Sequence, residues 1–240
     1  GASGAVHASA DVVKIVEDRD ASPEERAIRE INVGTYVVDG PFLFAALDKV
    51  QPHNAQGEYY LTDIVRLAIA DGVAVCGVEV SQEWETLGVN SKSQLAHLER
   101  IYQRQQAETL LARGVTLADP DRIDIRGELI AGADVRIDVN CVFEGTVRLG
   151  NDVTIGANCI LSNVTVADGS EILPFCHLTD ADIGANNRIG PFSRVRPGAR
   201  LAEDVHIGNF VEVKASELGK GSKVNHLAYV GDSVVGSNVN

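Results

Sequence analysis

The chain has no methionine and one tryptophan among 240 residues, and aromatic residues make up only 5%. Any core must therefore be built mainly from aliphatic side chains. No run of about 18 apolar residues occurs, so a membrane-spanning helix is not expected. Basic residues are few, 21 Lys and Arg against 34 Asp and Glu, for a net charge of −13. That balance argues against a general nucleic-acid binder, although local sites for phosphate remain open. The opening GASGAVHASA lacks a basic segment followed by an apolar run, so it does not read as a secretory signal. With no Met at position 1, the chain is expected to begin inside its gene. The four cysteines, Cys76, Cys141, Cys159 and Cys176, form no C-x-x-C pair, which suits a reduced, cytosolic setting.

What is present changes character near residue 120. The first half reads as mixed α/β. VVKIVED (12–18), INVGTYVVDG (31–40) and VAVCGVEV (73–80) are β-branched runs that predict strands. LTDIVRLAIADG (61–72) predicts a helix, with Ile64, Leu67 and Ala68 on one face and a glycine stop. The segment 91–114 predicts a long connecting helix, with Leu95, Leu98, Ile101 and Tyr102 at helical spacing before Gly114.

Beyond it an aliphatic or aromatic residue recurs every six positions: Ile137, Phe143, Leu149, Ile155 and Leu161. With occasional five-residue steps the series continues through Val166, Ile172, Leu178, Ile183, Ile189, Val195, Leu201, Ile207, Val213, Leu218, Val224, Val230 and Val235. Glycine follows the apolar residue at 150, 156, 184, 190, 208, 219, 231 and 236. Hexads of this kind predict a parallel β-helix, left-handed by resemblance, with three short strands per coil of 17 or 18 residues. Cys141, Cys159 and Cys176 are then one coil apart and should stack as buried small hydrophobes. A straight column does not offer the tetrahedral convergence that zinc requires.

The same coil length puts Arg196 above Lys214, 18 residues apart. They read either as a solvated basic pair balanced by Glu203, Asp204 or Glu212, or as a phosphate clamp. In a clamp, Arg supplies a planar fork and Lys a point charge. His226 and Tyr229 lie one coil further on, and His226 is either structural or a proton acceptor at neutral pH. A three-histidine zinc site is a weaker alternative, because His177, His206 and His226 lack suitable spacing.

The stretch RVRPGARL…HIGNFVEVKASELGKGSKVNHLAYVGD (194–232) closely resembles the acetyltransferase domain of a bifunctional bacterial enzyme family. The family is UDP-N-acetylglucosamine pyrophosphorylase/glucosamine-1-phosphate N-acetyltransferase. IVEDRDAS (15–22), EINVGTY (30–36), NAQGEYYLTDIV (54–65) and GVNSKSQLAHLER (88–100) resemble the C-terminal part of its uridylyltransferase domain. The resemblance implies three parts. Residues 1–92 belong to a Rossmann-like nucleotidyltransferase lobe, 93–114 form a helical linker, and 115–240 form the left-handed β-helix.

It further implies that His226 is the base for the attacking sugar amine. Arg196, Lys214, Tyr229 and Asn240 are then ligands of glucosamine-1-phosphate. Glu17, Asn32 and Asn90 correspond to UDP-sugar contacts, and Asn90 also to a contact of Mg²⁺. Acetyl-CoA, UTP, UDP-N-acetylglucosamine and amino-sugar phosphates are the implied small-molecule partners, with a cytoplasmic homotrimer and neither nucleic acid nor membrane.

The family's Gly-rich nucleotide loop has no counterpart in this sequence, and its Tyr-Gly-Arg turn falls where residues 2–4 read Ala-Ser-Gly. The chain also stops at Asn240, before the coils expected to bind acetyl-CoA. Both sites are therefore expected to be incomplete, and an open last coil is expected to fray or associate. A non-catalytic trimerising β-helix with a relic sugar-nucleotide lobe is the alternative reading.

Overall fold

A computed structural model describes residues 8–240; the expected turn position at 2–4 lies outside them. The chain divides into two compact units, one ending at Ser91 and the other spanning Lys92–Asn240.

In the first unit a strand at Ala8–Asp11 pairs antiparallel with Cys76–Val78. Three helices follow the first strand: α1 (Pro23–Arg26), α2 (Gly40–Leu47) and α3 (Asp63–Ala70). Helix α1 is short but carries a full capping box, with Ser22 and Glu25 satisfying each other's backbone N–H groups. Ile64, Val65 and Ala68 of α3 are buried with Ala46 and Val50, so the predicted helix and most of its apolar face are present.

The strands predicted at 12–18 and 31–40 are absent: 12–18 and 31–39 are irregular, and Gly40 opens α2. Ile31 and Val37 are exposed, and among the described residues no strand lies alongside to take their hydrogen bonds. β-Branched composition favours a pleated surface only where a neighbouring strand supplies the ladder. Pairing at Ala8–Asp11 instead ends just before the run that composition singles out.

The second unit is a parallel β-solenoid. Its seven-stranded face stacks Leu117, Ile137, Ile155, Ile172, Ile189, Ile207 and Val224 in register. A second column runs Ile125, Phe143, Leu161, Leu178, Val195, Val213 and Val230. A third runs Ala131, Leu149, Val166, Ile183, Leu201, Leu218 and Val235. Each hexad residue from Ile137 to Leu218 is buried, while Val224, Val230 and Val235 are partly buried against the same core. The repeat begins one coil earlier than the hexads suggest, because Ile123–Ala131 forms one nine-residue strand in register with Cys141–Leu149.

Cys141, Cys159 and Cys176 are buried and free, as the coil spacing predicts. The Cys141 thiol donates to the Gly156 carbonyl and that of Cys159 to Leu173, each at 3.2 Å. Burial pushes the Cys141 thiol up to about 11. The hydrogen bond with Cys176, and then burial, raises that of Cys159 as well, so both are inert protonated packing groups.

The helix α4 (Lys92–Ala112) is present where predicted, but it turns a different face inward. Leu95 and Tyr102 are exposed, whereas Gln103, Ala107 and Leu110 are buried against the first coil. The reason is an edge. The first coil has no coil beneath it to take its backbone hydrogen bonds, and exposed edges invite association. Gln103 supplies the missing ladder. Its Oε1 accepts from the Ile125 N–H at 2.7 Å, and its Nε2 donates to the Ile125 carbonyl at 2.9 Å. Gln106 donates to the same carbonyl at 3.3 Å. Gly114, at φ 91°, then ends the helix in the left-handed conformation, and the Val115 N–H bonds back to the Leu110 carbonyl.

Replacing Gln103 by Leu keeps the bulk but orphans the Ile125 N–H. The expected cost is about 2 kcal/mol, the penalty for one unsatisfied buried donor. A denaturant titration of the variant checks it, and a loss below about 0.5 kcal/mol would show that Gln103 is not the edge's partner.

Candidate functional site at a solenoid corner

The outward residues of three successive coils form a small grid. Arg194, Glu212 and Tyr229 share one row, while Val195, Val213 and Val230 beneath them point into the core. One residue further along, Lys214 is in register with Gly231, and the Arg196 N–H donates to the Val213 carbonyl at 2.8 Å. Arg196 and Lys214 therefore occupy neighbouring coils at the same edge, where the 18-residue spacing predicts them.

Each cation has a carboxylate nearby. Arg196 Nη1 donates to Glu212 Oε1 at 2.7 Å, and Lys214 Nζ lies 3.9 Å from Asp232 Oδ2. Of the three balancing carboxylates considered, Glu212 pairs with Arg196, while Glu203 and Asp204 hold Lys220 at 2.7 and 3.5 Å.

Tyr229 reaches this line of cations by bending over a glycine. A Cβ added at Gly231 would meet the Tyr229 hydroxyl and lie 2.6 Å from its Cε1 and Cζ. Gly231, in register with Lys214, is thus a gap that the phenol ring fills. The hydroxyl is carried from the Arg194–Glu212 row toward the Arg196–Lys214 line.

His226 stands across the corner from Tyr229. It ends the strand Lys223–His226 on the adjacent face, paired with Asn209. Leu227, at φ 49°, turns the chain, its N–H donating to the Asn209 carbonyl at 3.1 Å, and Tyr229 opens the next strand. The His226 imidazole is solvent-accessible. Asn240 joins this side of the site, its Oδ1 accepting from Asn225 Nδ2 at 3.0 Å. Three phenylalanines, Phe175, Phe192 and Phe210, stack along the same corner, with ring centroids 4.9 and 5.3 Å apart. Beside them is an open groove of about 470 Å³ lined by Arg188, His206, Asn209 and Asn225. Burial first, then the charges of Arg188 and Lys223, lowers the His206 pKa and keeps the ring neutral at pH 7.

His177, His206 and His226 do not come together within this chain. His177 Nε2 is 3.3 Å from Thr179 Oγ1 on one sheet, while His206 and His226 lie on the other.

The candidates of the first unit have separate local environments. Glu17 Oε1 accepts from Thr62 Oγ1 at 3.5 Å, and Asn32 Oδ1 accepts from the Gly34 N–H at 3.2 Å. Asn90 is exposed just before helix α4. Mg²⁺ takes six oxygen ligands, normally with at least one carboxylate among them. Among the described residues no group of three or more His, Cys, Asp or Glu is placed to hold a metal. Asn90 and its surroundings therefore do not by themselves make up such a site.

Sequence reasoning named Glu212 only as one of three carboxylates that could balance the cations, and it missed the Tyr229–Gly231 fit. Spacing placed Arg196 and Glu212 on adjoining coils and Tyr229 and Gly231 in one strand, but did not say which neighbour each side chain reaches.

A family described as the GMPPB C-terminal domain matches residues 125–216. The bifunctional protein GlmU of Chromobacterium violaceum is 58% identical over 226 residues, covering 94% of this chain and 50% of that protein. The protein of the same name from Nitrosospira multiformis is 57% identical over 230 residues, covering 96% of this chain and 50% of its own length. Among solved structures, the acetyltransferase domain of PglB from Neisseria gonorrhoeae FA1090 in complex with acetyl coenzyme A is 20% identical. It covers 59% of this chain and 65% of its own, at a TM-score of 0.28, a likeness too loose to carry an argument. The chain is homologous, over nearly its whole length, to bifunctional GlmU proteins, and it spans about half the length of the curated relatives it matches.

Proposed function

We propose that the solenoid carries the acceptor half of an N-acetyltransferase site for glucosamine-1-phosphate. In this reading residues 115–240 are acetyltransferase and 1–92 are part of a uridylyltransferase domain that uses UTP, with 93–114 between them. The whole protein then makes UDP-N-acetylglucosamine in the bacterial cytoplasm as a homotrimer, and acts on neither nucleic acid nor membrane. The observation that supports it best is the arrangement itself: two cations share one edge, the Tyr229 ring lies over Gly231 in register with Lys214, and an accessible imidazole stands just before the turn at Leu227.

The chemistry follows from those residue types. Arg196 and Lys214 hold the phosphate, the first through its fork and the second as a compact charge. Tyr229 and Asn240 orient the sugar. An ammonium has no lone pair, so the amine must lose a proton to attack, and His226 is the group able to take it near neutral pH. Acetyl-CoA, when bound, would supply the thioester carbonyl that the amine attacks, the C–S bond breaking as the C–N bond forms and coenzyme A leaving as its thiol. Glu17, Asn32 and Asn90 are assigned to the UDP-sugar, and Asn90 would be one contact of Mg²⁺, whose other ligands these residues do not supply.

Calorimetric titration of the chain with glucosamine-1-phosphate tests the acceptor site. Arg196→Ala is expected to weaken binding at least about 30-fold, the loss of a bidentate charge-assisted contact. His226→Ala should leave it within about threefold, because the base contributes little to ground-state binding. No binding by the unaltered chain would favour a non-catalytic trimerising β-helix instead.

A further inference from the structure

We infer that Glu212 is a positioning residue that aims Arg196 at the phosphate. The inference rests on the phosphate-binding role proposed above for Arg196.

Glu212 shares its row with Arg194, directly opposite in the adjoining coil. Its carboxylate nevertheless reaches diagonally, to Arg196 Nη1 at 2.7 Å. Both side chains are about one-third exposed, 35% for Arg196 and 34% for Glu212, so the contact is partly shielded from water. A free arginine side chain carries about 2 kcal/mol of rotamer entropy, most of which must be lost when its fork engages a ligand. The Glu212 bond removes much of that freedom beforehand. It uses one of the five guanidinium N–H donors and leaves the others for an incoming anion.

Lys214 is arranged differently. Its Nζ is 3.9 Å from Asp232, beyond hydrogen-bond length, and Asp232 is the more exposed partner. One cation of the pair is thus held in direction while the other is left to follow the ligand. Glu212 and Asp232 bring two negative charges close to the phosphate site, equal in number to the two cations. The arrangement suits a partially buried clamp selected for geometry rather than for maximum positive charge.

Glucosamine-1-phosphate titrations of the chain test this. Glu212→Ala should weaken binding about tenfold, the equivalent of one charge-assisted hydrogen bond. Glu212→Gln, which keeps the acceptor oxygen, should weaken it by only about threefold. The decisive measurement is the cycle with Arg196→Ala: if Glu212 acts through Arg196, the double variant binds no more weakly than Arg196→Ala alone. Losses that multiply in the double variant would overturn the inference. So would Glu212→Ala binding within twofold of the unaltered chain, or more tightly than it, since the carboxylate would then be idle or competing. If the unaltered chain fails to bind the sugar phosphate, the proposed function itself falls.

Discussion

Gly208→Ala is expected to lower the thermal midpoint by roughly 10 °C and to remove hydrogen-exchange protection from the strand Lys223–His226. Gly208 lies in the strand His206–Asn209. An added Cβ would overlap the Asn225 carbonyl, lying 2.5 Å from its carbon and 3.0 Å from Asn225 Cα. These are backbone atoms, so no rotamer change relieves the clash. The next coil must lift, and lifting breaks the register of His206, Ile207 and Asn209 with Lys223, Val224 and His226. Overpacking a well-filled site costs about 1–3 kcal/mol, more when only backbone can yield, and a protein of this size loses about 2–4 °C per kcal/mol. Protection on Thr154–Ile155, several coils away, should be unchanged. A midpoint within about 1 °C of the unaltered chain would show that the coils separate freely there.

His226→Gln is expected to have the largest effect on chemistry. In a protein that carries this segment together with an acyl-donor site, kcat for acetyl transfer should fall about 10²- to 10⁴-fold, the usual contribution of a positioned general base. Glutamine keeps the polarity and approximate size but cannot take up a proton near pH 7. The strand holding His226 is fixed by backbone bonds to Asn209, not by the imidazole, so the fold and the cation pair should survive the change. KM for glucosamine-1-phosphate is accordingly expected to stay within about threefold. A fall in kcat of less than tenfold, or a loss carried wholly by KM, would remove His226 from the role of base.

Much of the solenoid was legible because burial follows a simple repeat. From Ile137 to Leu218 each hexad residue is buried in one of the three columns, and the cysteine stack follows from the same count. The first unit was less legible. Val12–Asp18 and Ile31–Gly40 have strand composition but, among the described residues, no strand beside them, and β-structure depends on a partner that composition cannot name. Helix α4 shows the same limit more gently. Its existence follows from propensity and Gly114, but its buried face was set by the unpaired edge at Ile125, which turned Gln103 inward and left Leu95 and Tyr102 exposed.

The sequence by itself determined the coil repeat, the inward columns, and the placing of Arg196 and Lys214 one coil apart, because a fixed rise and alternation decide which side chains face in. Only the tertiary structure decided which outward neighbours meet. It carried Glu212 diagonally to Arg196, laid Tyr229 over Gly231, and bonded Asn225 to Asn240. Long polar side chains reach several positions on adjoining coils, and the choice among them depends on local packing and charge that periodicity does not encode.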